Sequence, residues 1–320
     1  MNKSYISYIK LVSAIAIWAS LYHIAKHLLS HGADILFVVF LRYIISAIVL
    51  LGILKLKTGK IIHNLAPKEI ILLFFSGCIG VSIYNISFFY AESLVSGNIV
   101  AIMFSFAPCI TVLLSIIFLN LKPNIISITG MVAALLGTIG VINFATPSCG
   151  KFFCSSTFSN WDLGVALSLF AAFCFAVNSI LVRIVSERKI SGIIINTYSA
   201  IFGVLVTILI QLVHYKPINF DLYFNSEFIF TILYVSIMAT VVAYLWFTDS
   251  LIKLGVLKTV IFQNTLPLQT IFIGALFFHD TISISVLRCS LLVIAGVIMT
   301  NIGNSAIGAT LIKQLKRKKS

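Results

Sequence analysis

Charged side chains are scarce in this chain, and polar stretches are short. Only 10% of its 320 residues are charged, 60% are hydrophobic, and just 9 are Asp or Glu. A soluble domain of this length could not bury so much apolar surface, which excludes a water-soluble globular protein. The apolar segments are continuous and do not alternate with polar residues over ~10 positions, which excludes a transmembrane β-barrel.

Long apolar runs take the place of the missing polar stretches. A helix needs roughly 20 apolar residues to cross the hydrocarbon core of a bilayer. The sequence therefore predicts an all-α membrane protein with about ten transmembrane helices. Their expected spans are Tyr8–Leu29, Ile35–Leu54, Ile70–Tyr90, Asn98–Phe118, Ile125–Asn143, Leu163–Ile184, Ile193–His214, Phe228–Ser250, Leu257–Phe278 and Ser285–Gly303.

The cations are distributed unevenly between the predicted loops. A net charge of +13 alone would suit a nucleic-acid-binding protein. Counted from an inside N-terminus, however, the inner loops hold nearly all of the Lys and Arg, and the outer side holds only Lys26, Lys151 and Lys216. This bias is the positive-inside rule. It predicts a multi-pass protein of the cell (inner or plasma) membrane with both termini in the cytoplasm, membrane lipid as a partner and no nucleic acid.

Motifs that carry chemistry are absent as well. No His-Glu-x-x-His, Gly-x-Ser-x-Gly or Cys/His cluster with ligand spacing occurs, so no catalytic residue, cofactor or metal site is predicted. Cys149 and Cys154 lie in the longest outer loop and are left open as a disulfide or as free thiols. All carboxylates fall in loops or near helix ends, and this pattern favours a facilitative or weakly coupled carrier over an ion-coupled one.

The two halves of the chain repeat each other. A shift of 159 residues places Pro108 on Pro267, and it also places Gly137 on Gly296. Because five helices is an odd number, the second half should enter the membrane from the opposite side, which predicts an inverted repeat with a site at the repeat interface. The expected organisation is a first repeat over 1–143, an outer loop over 144–161, a second repeat over 162–303 and a basic tail over 304–320.

Several short motifs resemble the EamA family of the drug/metabolite transporter superfamily. They are Ile17-Trp18-Ala19-Ser20 running to Lys26, Leu41-Arg42-Tyr43, Ala243-Tyr244-Leu245-Trp246, Leu266-Pro267-Leu268 and the Phe277-Phe278-His279-Asp280 corner. The resemblance covers essentially the whole chain. At the two corners where the family usually carries Glu, this chain has Leu121 and Asp280. The resemblance implies that the first, third and fourth helices of each repeat line a central cavity and that the fifth helices are peripheral.

Candidate solute-binding residues follow from this arrangement. Trp18, Tyr22 and Lys26 form one stripe on the first helix, and Phe175, Ser179 and Arg183 form the matching stripe in the second repeat. Lys26 and Arg183 would attract an anionic solute to the two mouths, or they would snorkel to lipid headgroups. The other candidates are polar or aromatic residues inside helices, which would either line the path or bond neighbouring helices: Tyr84, Phe88, Asn98, Ser105, Asn178, Tyr244, Gln263 and Asn264.

Two further ionisable groups lie inside predicted helices. Arg42 has no evident route to the surface, and we expect a structural role, with Asp34 or a helix-end carbonyl as its partner. His23 is expected to be a packing residue, with proton carriage as its alternative. Pro108 and Pro267 should interrupt their helices at equivalent places, as a transport site or as tolerated kinks.

Three functional classes agree with these observations. The favoured one is a transporter of a small-molecule solute that exports an amino acid or a related amphipathic metabolite. The second is an importer of a nucleoside derivative, vitamin or similar metabolite. The third and weakest is a membrane-embedded enzyme, because no catalytic motif supports it. A homodimer is left open.

Overall fold

The structure is a computed structural model that describes residues 3–30, 32–119, 125–145, 160–213, 223–255, 259, 262–263, 265–277 and 283–303. All regular secondary structure in these residues is helical. The elements are α1 (Lys3–Ser30), α2 (Ile35–Thr58), α3 (Pro67–Phe75), the π-helix π1 (Ser76–Ile83), α4 (Tyr84–Leu94), α5 (Gly97–Phe104), α6 (Ala107–Leu119), α7 (Ile125–Ala145), α8 (Asn160–Ser186), α9 (Gly192–Val213), α10 (Ser226–Ser236), the π-helix π2 (Ile237–Val242), α11 (Ala243–Leu254), α12 (Leu266–Phe277) and α13 (Ile284–Gly303).

Seven helical stretches of the described chain are long and apolar enough to cross a membrane. They are Tyr5–Ala25, Ile35–Thr58, Pro67–Leu94, Gly97–Phe118, Asn160–Ser186, Gly192–Val213 and Ser226–Leu254, and shorter apolar stretches lie in α7 and α13. Large apolar side chains such as Ile48, Phe230 and Phe272 point outward, where only lipid suits so apolar a surface. The prediction of a multi-pass helical membrane protein is confirmed, and the count of ten spans stays a prediction.

Local signals set several helix ends. Asp34 caps α2, because its Oδ1 accepts a hydrogen bond of 2.9 Å from the Phe37 N–H. Gly59 ends the same helix in the left-handed region at φ 72°, which a glycine adopts without steric cost. Pro67 begins α3, where the missing N–H of proline costs nothing.

Two π-helices interrupt the third helix of each repeat. π1 joins α3 to α4, and π2 joins α10 to α11. Their last residues, Ile83 and Val242, stand 159 positions apart, which is the shift that relates the two halves of the sequence. π-Helical turns are rare and occur often at functional sites, so this paired interruption marks a region in which to look for a site.

The two prolines also stand at equivalent interruptions. α5 ends at Phe104, and α6 begins at Ala107 with Pro108 in its first turn. α12 begins at Leu266 with Pro267 in its first turn. Because proline lacks an N–H and clashes with the preceding turn, a helix starts readily there and does not run through it. The predicted break at Pro108 is confirmed, and α12 starts at the equivalent place.

The last helix of each repeat, α7 and α13, packs mainly against the other. A Cβ on Gly137 would meet the backbone of Val293, and a Cβ on Gly296 would meet the backbone of Ala134. Residue numbers fall along α7 from Gly137 to Ala134 while they rise along α13 from Val293 to Gly296. The two helices therefore run antiparallel. Their glycines let the backbones approach closely. This pair stands at the edge of the bundle, away from π1 and π2.

Contacts between neighbouring elements define two ends of the bundle. At one end, which we call the lysine-rich end, the Arg188 guanidinium lies 3.9 Å from the Glu69 carboxylate, and the His63 N–H donates to the Tyr198 hydroxyl at 3.0 Å. Lys55, Lys57 and Lys60 follow here at the end of α2. At the opposite end, the Asp34 N–H donates to the Tyr223 hydroxyl at 2.9 Å.

Candidate functional site

A group of aromatic side chains fills the centre of the bundle between the two repeats. Trp18 of α1 packs against Tyr244 and Phe247 of α11 with ring centroids 5.0 Å apart, and against Phe175 of α8 at 6.2 Å. The Trp18 indole N–H also donates to the Ala239 carbonyl in π2 at 2.9 Å. This hydrogen bond satisfies a carbonyl next to the irregular turn, where the α-helical bonding pattern is interrupted.

The same cluster continues towards the opposite end of the bundle. Phe175 contacts Phe104 at 5.2 Å and Tyr84 at 5.8 Å, and Phe88 contacts Tyr22 at 5.0 Å. We call these eight residues the aromatic cluster: Trp18, Tyr22, Tyr84, Phe88, Phe104, Phe175, Tyr244 and Phe247. The edge-to-face contacts draw on α1, α4, α5, α8 and α11, so both repeats supply rings.

Arg42 connects α2 to both π-helical regions. Its side chain is only 1% exposed, and its Nε donates to the Thr240 hydroxyl in π2 at 2.6 Å. Its Nη1 donates to Asn85 Oδ1, two residues after the end of π1, at 2.9 Å. The guanidinium also lies 5.3 Å from the centre of the Tyr43 ring. The suggested partners of Arg42, Asp34 or a helix-end carbonyl, are wrong, because its described hydrogen bonds go to two side chains and Asp34 caps α2 instead.

A small cavity lies between the aromatic cluster and the lysine-rich end, and we call it the polar cavity after the amide and hydroxyl side chains in its otherwise apolar lining. Its volume is about 30 Å³, which is enough for roughly two water molecules. The residues that line this polar cavity come from α2, π1, α8, α9, π2 and α11, and they are Tyr43, Leu50, Ser76, Gly80, Val81, Asn178, Val182, Ile195, Asn196, Ser199, Ala200, Thr240 and Tyr244. No carboxylate is among them.

One wall of the polar cavity is held by a chain of hydrogen bonds. The Ser76 hydroxyl donates to Asn178 Oδ1 at 2.6 Å, and the Ser199 hydroxyl donates to the Ser76 oxygen at 3.0 Å. Gly80 makes room for this arrangement, because a Cβ there would clash with the Asn178 side chain. Three helical segments, π1, α8 and α9, are thereby joined through neutral polar groups.

The structure brings some of the predicted site residues together and separates others. Trp18, Tyr22, Tyr84, Phe88 and Tyr244 belong to the aromatic cluster, and Asn178 and Tyr244 line the polar cavity. Asn98 and Ser105 are buried in and just after α5. Gln263 is 3% exposed, and its Nε2 makes no hydrogen bond with any described residue. Solute binding by these residues stays a prediction.

The predicted cations at the two mouths are less informative. Arg183 Nε lies 3.0 Å from Glu187 Oε1 on the same helix, and both side chains are partly exposed. Such a surface pair is compatible with snorkelling as much as with solute attraction. The Lys26 side chain and Asn264 lie outside the described residues, as do Cys149 and Cys154. His23 is buried, and its Nε2 lies 2.9 Å from the Thr270 carbonyl oxygen, in agreement with a packing role.

Sequence reasoning missed the second helix of each repeat as part of the cavity wall. Tyr43 on α2 and Asn196 and Ser199 on α9 line the polar cavity, although only the first, third and fourth helices were expected to do so. An available signal was the glycines at positions 77 and 203. They lie where π1 and α9 approach closely, and small residues mark such approaches in membrane bundles.

Comparisons with known proteins agree with this architecture. A solved crystal structure of a protein that is not further specified has a similar fold, with a TM-score of 0.66 and 16% sequence identity. The match covers 92% of this chain and 94% of the other. At that identity the likeness concerns the fold alone. No curated protein gives a significant sequence match. The family model described as the EamA-like transporter family matches residues 5–143 and 162–302. Because these two matches together span most of the chain, the protein belongs to the EamA-like transporter family.

Proposed function

We propose that this protein carries an amino acid or a related amphipathic metabolite out of the cytoplasm, and that the solute passes through the junction between the repeats by alternating access. The observation that carries the proposal is the polar cavity, which opens between helices of both repeats and has the aromatic cluster beside it. Aromatic faces suit the apolar part of such a solute, and the amide and hydroxyl groups suit its polar part.

An inverted relation between the repeats is part of this proposal. Two observations support it: the paired contacts of Gly137 with Val293 and of Gly296 with Ala134, which run antiparallel, and the matched positions of π1 and π2. In an inverted repeat, the two halves exchange conformations to open the site to either side. With both termini in the cytoplasm, the lysine-rich end is the cytoplasmic end.

Contacts at both ends close the path in this conformation. Towards the lysine-rich end, Lys10 Nζ of α1 lies 3.0 Å from Asp249 Oδ2 of α11, and the Ser250 hydroxyl donates to the Ser7 carbonyl at 2.9 Å. Towards the opposite end, Gly97 packs directly on the Tyr22 carbonyl. The polar cavity between them holds roughly two water molecules, so entry of a solute requires these helices to separate.

The residues that line the polar cavity favour facilitated transport. No carboxylate lines the polar cavity, and Asp249 is held between Lys10 and Lys253 near the end of its helix. Proton or sodium coupling usually uses an ionisable group that both sides can reach. We therefore expect solute to flow down its own gradient in liposomes without an imposed pH or sodium gradient. Accumulation that follows an imposed pH step and disappears in His23→Gln or Glu92→Gln would contradict this expectation.

The test of the proposed function is a transport assay with a metabolite mixture. Proteoliposomes and protein-free liposomes are loaded with a cellular metabolite extract, and the compounds released are identified by mass spectrometry. Release of chemically unchanged amino acids only from proteoliposomes supports the proposal, whereas chemical conversion would support an enzyme. A comparison of efflux and uptake in cells with and without the protein then separates an exporter from an importer.

A matched pair of serine variants links the flux to the cavity. Ser76→Ala removes the hydroxyl that bonds Asn178, and it should lower flux severalfold. Ser93→Ala makes the same chemical change at an exposed position of α4 and should leave flux unchanged. Equal flux in the two variants, at equal abundance in the membrane, would contradict a path through the polar cavity.

A further inference from the structure

We propose that Arg42 binds the carboxylate of the transported solute, so that the substrates are small molecules with one carboxylate and no second negative charge. This inference rests on the proposed function, and it deepens it by naming the chemical group that the site recognises. It concerns a residue for which the sequence alone indicated only a structural role.

The first step of the argument is the burial of an uncompensated charge. Arg42 is among the largest fully buried side chains of the described chain, and it pairs with no carboxylate there. Its partners, Asn85, Thr240 and the Tyr43 ring, are all neutral. A guanidinium stays charged in proteins, and a buried charge without a counter-charge is costly. A structural arginine in a membrane bundle usually pairs with an acidic group or with backbone carbonyls. Among the described residues Arg42 bonds to neither, which leaves it with a place for an external anion.

The second step is the orientation of the guanidinium. Two of its nitrogens are engaged, Nε with Thr240 and Nη1 with Asn85, while Nη2 makes no hydrogen bond with the described residues. Asn85 is itself held in place, because its Nδ2 donates to the Tyr43 hydroxyl at 2.8 Å and to the Val81 carbonyl at 2.7 Å. The guanidinium is therefore held in a fixed orientation before a ligand arrives. It still has N–H groups that can donate to that ligand.

The third step is the position of Arg42 beside the polar cavity. Thr240, which accepts its 2.6 Å hydrogen bond, and Tyr43, whose ring it faces, both line that cavity. Tyr244 also lines that cavity, so two tyrosines contribute to its lining. A carboxylate that enters as the helices separate would meet the guanidinium together with hydroxyl donors, which is the donor set that a carboxylate prefers.

The fourth step is the charge balance, which decides between anions. Arg42 is the cation that contacts the cavity wall, and the lining residues are all uncharged. One guanidinium balances the single charge of a carboxylate, whereas a phosphate group carries up to about two negative charges at pH 7. The far wall, formed by Ser76, Asn178 and Ser199, supplies neutral donors and acceptors for the rest of the solute. These groups suit a neutral or amino-bearing body.

The test compares benzoate with benzamide, which share a ring and differ in the charged group. The purified protein in detergent is melted in the presence of sodium benzoate, benzamide or sodium phosphate at equal ionic strength. We expect benzoate alone to raise the melting temperature. In Arg42→Gln the apparent affinity for benzoate should fall by about tenfold or more, because a charge-assisted hydrogen-bond pair is lost. Arg188→Gln, which removes a cation at the lysine-rich end, should respond like the wild type.

Each outcome of this experiment either supports or overturns carboxylate binding by Arg42. Equal stabilisation by benzamide or phosphate, no response of the wild type to benzoate, or an unchanged response in Arg42→Gln would each overturn the proposal. Because the comparison of ligands uses the wild-type protein, it stays decisive even if Arg42→Gln does not fold. The assay measures binding only, so absence of amino acid flux in proteoliposomes would count against the proposed function and not against the carboxylate site.

Discussion

Replacing Gly77 by alanine should weaken the contact between the two repeats at π1. A Cβ at this position would lie 2.6 Å from the Ser199 carbonyl oxygen and 2.8 Å from the Gly203 nitrogen. Both atoms belong to the backbone of α9 and cannot rotate away as a side chain would. Since non-bonded heavy atoms prefer separations of about 3.5 Å, the two helices would have to move apart by almost an ångström.

The size of this destabilisation follows from two costs and one gain. Overpacking of a close contact costs about 1–3 kcal/mol. Separation would also stretch the hydrogen bonds from Ser82 to the Gly203 carbonyl (2.7 Å) and from Ser199 to Ser76 (3.0 Å), each worth about 1 kcal/mol. Alanine regains about 1 kcal/mol of helix propensity over glycine. We therefore expect Gly77→Ala to lower the free energy of unfolding by about 2–4 kcal/mol.

Gly52→Ala is the matched control. It makes the same substitution within α2, where no atom lies within 4 Å of the added Cβ, and it should be neutral or slightly stabilising. Thermal unfolding of the purified variants can be followed with a dye that reacts with thiols, because Cys174 is a free thiol that is buried in the folded protein. We expect Gly77→Ala to melt several degrees below Gly52→Ala. Equal melting temperatures would refute the close approach of π1 and α9.

Two further predictions concern topology and the support of π2. A membrane-impermeant thiol reagent added to intact cells should modify Ser148→Cys and spare Lys60→Cys and Lys318→Cys in a background without native cysteines; the reverse labelling pattern would contradict the proposed orientation. Trp18→Phe keeps an aromatic ring but loses the bond to the Ala239 carbonyl, and it should lower the free energy of unfolding by about 1–2 kcal/mol and reduce flux. Trp246→Phe is its control, because the Trp246 indole N–H makes no hydrogen bond with the described residues. Equal losses of stability and flux in the two variants would argue against a specific role for the Trp18 hydrogen bond.

Features that depend on neighbours in the chain were predictable from the sequence. Helices that cross a bilayer need long apolar runs, and such runs are visible directly in segments such as Ile35–Thr58. The repeat was visible in the spacing of Pro108 and Pro267, and the resemblance to the EamA family followed from short motifs that the family match confirms. Trp18 and Tyr22 were expected on one stripe of α1, and both face the aromatic cluster.

Other features depend on which helices meet, and only the tertiary structure decided them. Asp34 or a helix-end carbonyl was expected as the partner of Arg42, but its partners Asn85 and Thr240 lie 43 and 198 positions away in the chain. The π-helices were not expected, because hydropathy does not distinguish a π turn from an α turn. The second helix of each repeat was not expected in the wall of the polar cavity, where α2 and α9 pack against π1 and π2. The physical reason is that apolar periodicity determines which segments enter the membrane, whereas shape complementarity and hydrogen bonds between distant segments determine how they pack.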